Sequence, residues 1–303
     1  MRAFHMNVLT YNANTNYVVG QGRTPKQEAL RGEMYRYRQN IGPVDVAGFT
    51  EVLVANGADP ANILRALNDF GAALGIPAAG GGGRKIAVIR CGRTALLQSS
   101  EVVAIVVSAA AQVNRYGLLW FNNTDPLVWR NRAILPVAAN NYTSHLSIPQ
   151  GSVPDYRFIV YVDFNLGATQ YVIGFIHNRA PGHDEVAVVM QGIRDLMRVR
   201  NPVALTMCGG DFNTEPLSPL NNGTGLRYPA NGHYATWYYA PGATSLSRQR
   251  LDYWTSHLPL ISPPGGPGAP VAHANGTLRW PEPDTTENLP TGSDHRGVGI
   301  EIA

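Results

Sequence analysis

Apolar residues in this chain come in short runs, and most of the runs end or begin on a polar group. The first, "FHMNVLTYN", predicts a strand whose polar end is Asn12-Ala13-Asn14. A helix is expected from Pro25 to about Asn40, with Thr24 as its cap, Pro at its start and Gly42-Pro43 stopping it. "VDVAGFTEV" reads as a buried strand ending at Glu51, and "PANILRALNDFGAALG" as a second helix behind Asp59. Strand, helix, strand, helix opens an α/β layered fold. Further strands are expected at "RKIAVIRC", "EVVAIVVS", "NRAILPVAA", "YRFIVYVDFN", "TQYVIGFIH", "ALTMCGGDFN" and "SRQRLDYWTS", and the chain closes on a strand after "SDHRG". From the helical spacing of Val186, Val189, Met190, Ile193, Leu196 and Met197, a helix is expected over 183–199. From 258 to 291 the pattern dissolves into a long Pro- and Gly-rich loop, and no repeat or domain boundary interrupts the chain.

Composition narrows this only a little. The chain has 303 residues, 44% hydrophobic and 15% charged, enough for a globular core and too apolar for a disordered chain. The net charge of +3 is compatible with a polyanionic partner but comes without a concentrated basic cluster. Cys91 and Cys208 sit in or beside apolar runs and read as two buried thiols; a Cys/His metal motif is missing. No apolar run reaches membrane-spanning length. The N-terminus enters a strand directly, which fits a cytoplasmic protein or one whose leader lies outside this sequence. The "GGGG" at 80–83 is a poor phosphate loop, because its strand follows it and no helix does.

The chemistry lies where the runs end: Asn12, Glu51, His177, Asp211 with Asn213, Asp252, and Asp294 with His295. Each has an ordinary reading as a turn, a cap or a solvated side chain. Together, strand ends in a layered fold share one rim, and acids and histidines gathered there build a site. Carboxylate and amide oxygens without thiolates suit Mg²⁺ or Mn²⁺, with Ca²⁺ a further oxygen-seeking candidate. Histidines beside such an ion suit cleavage of a phosphate ester. A Ser–His–Asp hydrolase competes poorly, since no Gly-x-Ser-x-Gly elbow is present.

"LTYNAN", "GFTEV", "FIHNRAP", "GGDFNTEP", "RLDYW" and the C-terminal "SDH" follow the order found in the endonuclease/exonuclease/phosphatase superfamily, which the chain resembles from Asn12 to His295. Within it, "FIHNRAPGHDEV" and "GDFNTEP" look most like the nuclease subunit of cytolethal distending toxins. The resemblance implies one DNase I-like domain over 1–303: an α/β four-layer sandwich, two packed mixed β-sheets flanked by helices. It implies Glu51 as main metal ligand with Asn12 and Asp294 nearby, and Asp211 and Asn213 positioning the attacking water and the phosphate. His295 would contact the scissile phosphate, oriented by Asp252, and His177 would stand on its other side. Glu215 and Pro216 would shape the turn.

The chain departs from the superfamily pattern in places. Tyr11 stands for the usual Trp and Thr50 for the usual Gln. The stretch "GGGGRKIAVIR" offers no acid, which leaves His177 without the carboxylate that pairs with it in deoxyribonucleases. Arg84, Lys85, Arg130 and Arg132 are candidates for phosphates flanking the cut, with ordinary surface charge as the other reading. The expected activity is Mg²⁺-dependent DNA endonuclease. A phosphoinositide phosphatase or sphingomyelinase-type phospholipase is the alternative, and a non-catalytic binding module the third. The toxin likeness adds secretion and delivery or accessory subunits as expectations.

Overall fold

A computed structural model describes residues 1–8, 18–19, 25–55, 59–80, 83–93, 99–122, 125–135, 142–147, 158–178, 192–196, 204–213, 237–238, 248–249, 252–256, 277–279 and 297–301. The elements, in chain order, begin with β1 (Arg2–Asn7), β2 (Val18–Val19), α1 (Pro25–Ile41), β3 (Val46–Ala55) and α2 (Pro60–Ala73). Then come β4 (Lys85–Arg93), β5 (Ser99–Val107), β6 (Gln112–Asn122), β7 (Asp125–Ile134), β8 (Tyr142–Ser147), β9 (Phe158–Leu166) and β10 (Thr169–His177). The rest are β11 (Leu205–Asp211), β12 (Trp237–Tyr238), β13 (Arg248–Gln249), β14 (Asp252–Ser256), β15 (Thr277–Arg279) and β16 (Val298–Glu301).

These strands form two mixed sheets. One runs β15-β16-β1-β3-β5-β4-β8, with β2 beside β3; the other runs β14-β11-β10-β9-β6-β7. Alternation along the strands gives each sheet an inner and an outer face. The inner faces meet in one core, where Ala3, Val46, Ala87 and Ile105 of the first sheet pack with Val160, Phe175, Met207 and Trp254 of the second. The outer face of the first sheet, through Phe4, Phe49 and Val106, packs on Leu30, Met34 and Tyr37 of α1 and Leu67 and Phe70 of α2. Those helix positions recur every three or four residues, so each helix offers one apolar stripe. Asp59 caps α2, accepting from the Ala61 N–H at 2.9 Å. On the outer side of the second sheet, residues 192–196 are helical, and Leu196 fills the space above Gly174 of β10.

Several expectations move. β1 ends at Asn7, five residues before the expected polar end at Asn12, and Asn12 lies outside the described residues. β3 does not stop at Glu51 but continues to Ala55. β6 and β8 went unread, because β6 places Asn114 and Arg115 among its apolar residues and β8 is a mostly polar edge strand. "SRQRLDYWTS" holds two strands, β13 and β14, and the Pro/Gly-rich segment contains β15, paired with β16. Of the helix expected over 183–199, only 192–196 falls in the described residues.

Candidate active site

β1 and β3 run parallel in one sheet, and β10 and β11 run parallel in the other. Their carboxyl ends lie together at one end of the inner cleft, the usual place for a site in layered α/β folds. Asn7 and Thr50 are register partners at the end of β1 and β3. His177 and Asp211 are partners at the end of β10 and β11, and Asp211 faces Asp252 at the start of antiparallel β14. The sheets are bridged here: the Asn7 side-chain amide donates to Asp211 Oδ2 at 3.1 Å.

Asp211 is buried, and its other oxygen accepts from the Asn213 N–H at 2.8 Å. That Asx turn bends the chain right after β11 and sets Asn213 at φ +51. The preceding Gly210 has φ +152, and a Cβ there would lie 2.0 Å from the Ile176 carbonyl oxygen. Only glycine lets β11 approach β10 this closely. Asn178 then clamps the turn from the neighbouring strand. Its N–H donates to the Asp211 carbonyl at 2.9 Å and its side-chain amide to the Phe212 carbonyl at 2.9 Å, while its own carbonyl accepts from the Asn213 side-chain amide.

Glu51 owes its place to a bulge. Phe49 pairs with Ala104 and Val52 with Val102, so three steps on β3 span two on β5. Phe49 and Val52 both belong to the outer-face core, which leaves Glu51 as the extra residue, at φ +52. A bulge re-aims a side chain in this way. Glu51 Oε1 lies 3.4 Å from His177 Nε2, with the two side chains 19% and 17% exposed. The carboxylate partner of His177, which the sequence did not offer from the β4 stretch, is therefore Glu51. The ring of Phe158 meets the His177 ring edge-on at 6.0 Å.

The described residues bring Glu51, His177, Asp211, Asn213 and Asp252 to one end of the cleft. Asn12, Asp294 and His295 lie outside them; β16, which follows Asp294 and His295 in sequence, begins opposite His5 at Val298. Two site residues were missed. Asn7 has the signal expected of Asn12, a polar residue closing the first strand, but the apolar residues after it drew the strand too long. His5 sat unread in the middle of the same run, two residues away and on the same face. Arg130 and Arg132 are exposed on edge strand β7, opposite Trp120 and Leu118. Trp120 pairs with Phe158 and Phe158 with His177, so Arg130 shares a transverse row with His177, three strands or about 14 Å away.

Arg84 and Lys85 do not join the site. They stand at the start of β4, where Lys85 pairs with Val107 at the far end of the sheet. Arg84 donates to the Ile76 carbonyl at 2.6 Å and to Asn68 Oδ1 at 2.9 Å, and Lys85 to the Ala111 carbonyl. Both serve the connections there, and burial pulls both below their ordinary pKa values. Cys208 is a free, buried thiol, and burial pushes its pKa up, so it makes a poor nucleophile.

Among the described residues no three His, Cys, Asp or Glu side chains are grouped as a ready metal cage. The donors present are still hard oxygens, with the partly exposed Glu51 carboxylate nearest solvent. Mg²⁺ keeps much of its water shell and needs only one or two carboxylates, so this donor set fits it.

No protein-family model matches the chain, and no curated protein sequence does. Solved structures do. An endonuclease/exonuclease/phosphatase family protein from Leptotrichia buccalis C-1013-b aligns with TM-score 0.61 at 14% identity, over 100% of this chain and 99% of that one. The human Nocturnin catalytic domain with a bound sulfate aligns with TM-score 0.57 at 13% identity, over 100% and 94%. D. rerio TDP2 complexed with a single-strand DNA product aligns with TM-score 0.55 at 14% identity, over 100% and 98%. The fold is thus the DNase I-like fold of the endonuclease/exonuclease/phosphatase structures. Among the described residues no helix is long and apolar enough to cross a membrane.

Proposed function

We propose that this chain is a metal-dependent phosphodiester hydrolase with DNA as its substrate. One observation carries the reading: Asn7, Glu51, His177, Asp211, Asn213 and Asp252 meet where the carboxyl ends of two parallel strand pairs face each other across the cleft. Asp211, held by two donors, is the base that orients the attacking water and takes its proton. Asn213, fixed in the turn after it, contacts the phosphate. His177 donates to a non-bridging phosphoryl oxygen, its ring held beside Glu51. By the motif likeness Asp252 would orient His295, itself outside the described residues, toward the phosphate. Glu51, with Asp294, would hold the metal; when bound, Mg²⁺ supplies Lewis-acid stabilisation of charge on the phosphate. DNA is favoured over a lipid headgroup by Arg130 and Arg132, exposed on the same face as the site with Arg130 in the row of His177, and by the single-strand DNA product in the D. rerio TDP2 structure. The toxin likeness rests on motifs that lie partly outside the described residues, and secretion and delivery subunits are no part of this proposal.

The test is nicking of a supercoiled plasmid with Mg²⁺ and with EDTA. Asp211→Ala and His295→Ala should each lower nicking by a factor of at least about a hundred while melting cooperatively. Undiminished nicking by folded variants would sink the assignment. A folded wild type that leaves plasmid intact and releases phosphate from phosphoinositides would redirect it to the phosphatase reading.

A further inference from the structure

We infer that His5 is a positioning residue of this site, bridging the two sheets between Asp252 and the Thr50–Glu51 bend; the inference rests on the hydrolase reading above. His5 lies on the inner face of β1, between Ala3 and Asn7, and is completely buried. Its Nε2 is 2.9 Å from Thr50 Oγ1 on the neighbouring strand. Its Nδ1 is 3.8 Å from Asp252 Oδ1 on the opposite sheet, and that carboxylate is completely buried too. The Phe175 ring stacks at 6.4 Å, with an interplanar angle of 24°. Phe175 in turn fills the space over Gly48, the register partner of His5 on β3.

Each contact has a functional consequence. Thr50 and Glu51 are the two residues inside the bulge, between the Phe49–Ala104 and Val52–Val102 pairs, so the His5–Thr50 contact holds the half of the bulge from which Glu51 is aimed. Asp252 stands directly opposite Asp211, and like charges at facing positions repel. The His5 ring packed beside Asp252 helps to hold that carboxylate in place at the site. An imidazole in an apolar cleft is costly to bury unless its nitrogens are matched. Leucine would fill the space at less cost if packing were its task.

The experiment compares His5→Leu, His5→Gln and His5→Asn with wild type in kcat, KM and thermal melting. Gln keeps an amide near the Nε2 position and the reach to Thr50. Asn keeps one near Nδ1 and the reach to Asp252. The expected result is a kcat loss of about ten- to a hundred-fold in His5→Leu at nearly constant KM, with Gln and Asn each recovering part of it. A packing role predicts the opposite order, with Leu mildest, and that order would overturn the inference. A second measurement is independent of turnover. The ring ¹⁵N signals of His5, assigned by their loss in His5→Gln, should shift in both Asp252→Asn and Thr50→Val. Signals unmoved in both variants overturn the bridge. An inactive wild type would refute the hydrolase reading alone, and the ring signals would then decide on the bridge.

Discussion

At the residue scale, Glu51 and Asn213 are the non-glycine residues with left-handed backbone among those described. Asparagine tolerates that region because its short side chain bonds locally; glutamate has no such relief. A left-handed non-glycine residue costs on the order of 1–3 kcal/mol, and such strain collects at functional sites. At Glu51 the strain has a visible use, since the bulge sets the carboxylate beside His177 while Val52 returns to the outer core. Stability and activity should therefore part at this position. Glu51→Gly should melt no lower than wild type, with a gain of up to about 1 kcal/mol, and should lose nicking. Glu51→Gln, which keeps the side chain's bulk and the strain, should lose nicking without the gain. A clear drop in melting temperature for Glu51→Gly would show that the carboxylate, and not the backbone, sets the energy of the bend.

At the element scale, strands explain what was legible in the sequence. α1 and α2 were read nearly to the residue, because a helix writes its stripe over many turns and, in α2, Asp59 marks the start; Thr24, the expected cap of α1, lies outside the described residues. β10 and β11 were legible because their apolar runs stop abruptly at His177 and Asp211. β1 was read too long because Val8 and Leu9 continue the apolar run past Asn7. The bulge at Glu51 was invisible because it exists only relative to β5. Edge strand β7 carries a prediction of its own. Its Arg130 and Arg132 share one face, exposed, with Arg130 in the row of His177. If they meet phosphates beside the cut, Arg130→Ala and Arg132→Ala should raise KM on DNA and leave kcat within about two-fold. Each should also reduce the slope of log affinity against log salt by about one. A kcat loss with unchanged salt slope would place their effect on the strand's geometry instead.

At the scale of the molecule, the site is a property of the spacing between the sheets. Asn7 reaches Asp211, and Glu51 reaches His177, only because the inner faces interlock beneath them. The interlock nearest the site is Phe175 against Gly48: a Cβ on Gly48 would lie 2.2 Å from Phe175 Cδ1. Phe175 also meets Trp254 edge-on at 6.0 Å, so the ring cannot retreat without disturbing β14 and with it Asp252. Overpacking of this kind costs about 1–3 kcal/mol, and the strain spreads because interiors are close-packed. Gly48→Ala should thus lower melting temperature and nicking together, although residue 48 touches no phosphate in the proposed mechanism. The decisive variant is the double substitution. Phe175→Leu alone removes the ring and should destabilise by leaving a void. Combined with Gly48→Ala, the added methyl occupies part of that void, so the double variant should melt above the sum of the single losses and regain nicking relative to Gly48→Ala. Additive losses in stability, with nicking no better than in Gly48→Ala, would mean that the sheets' separation is set elsewhere and that the site does not depend on this contact.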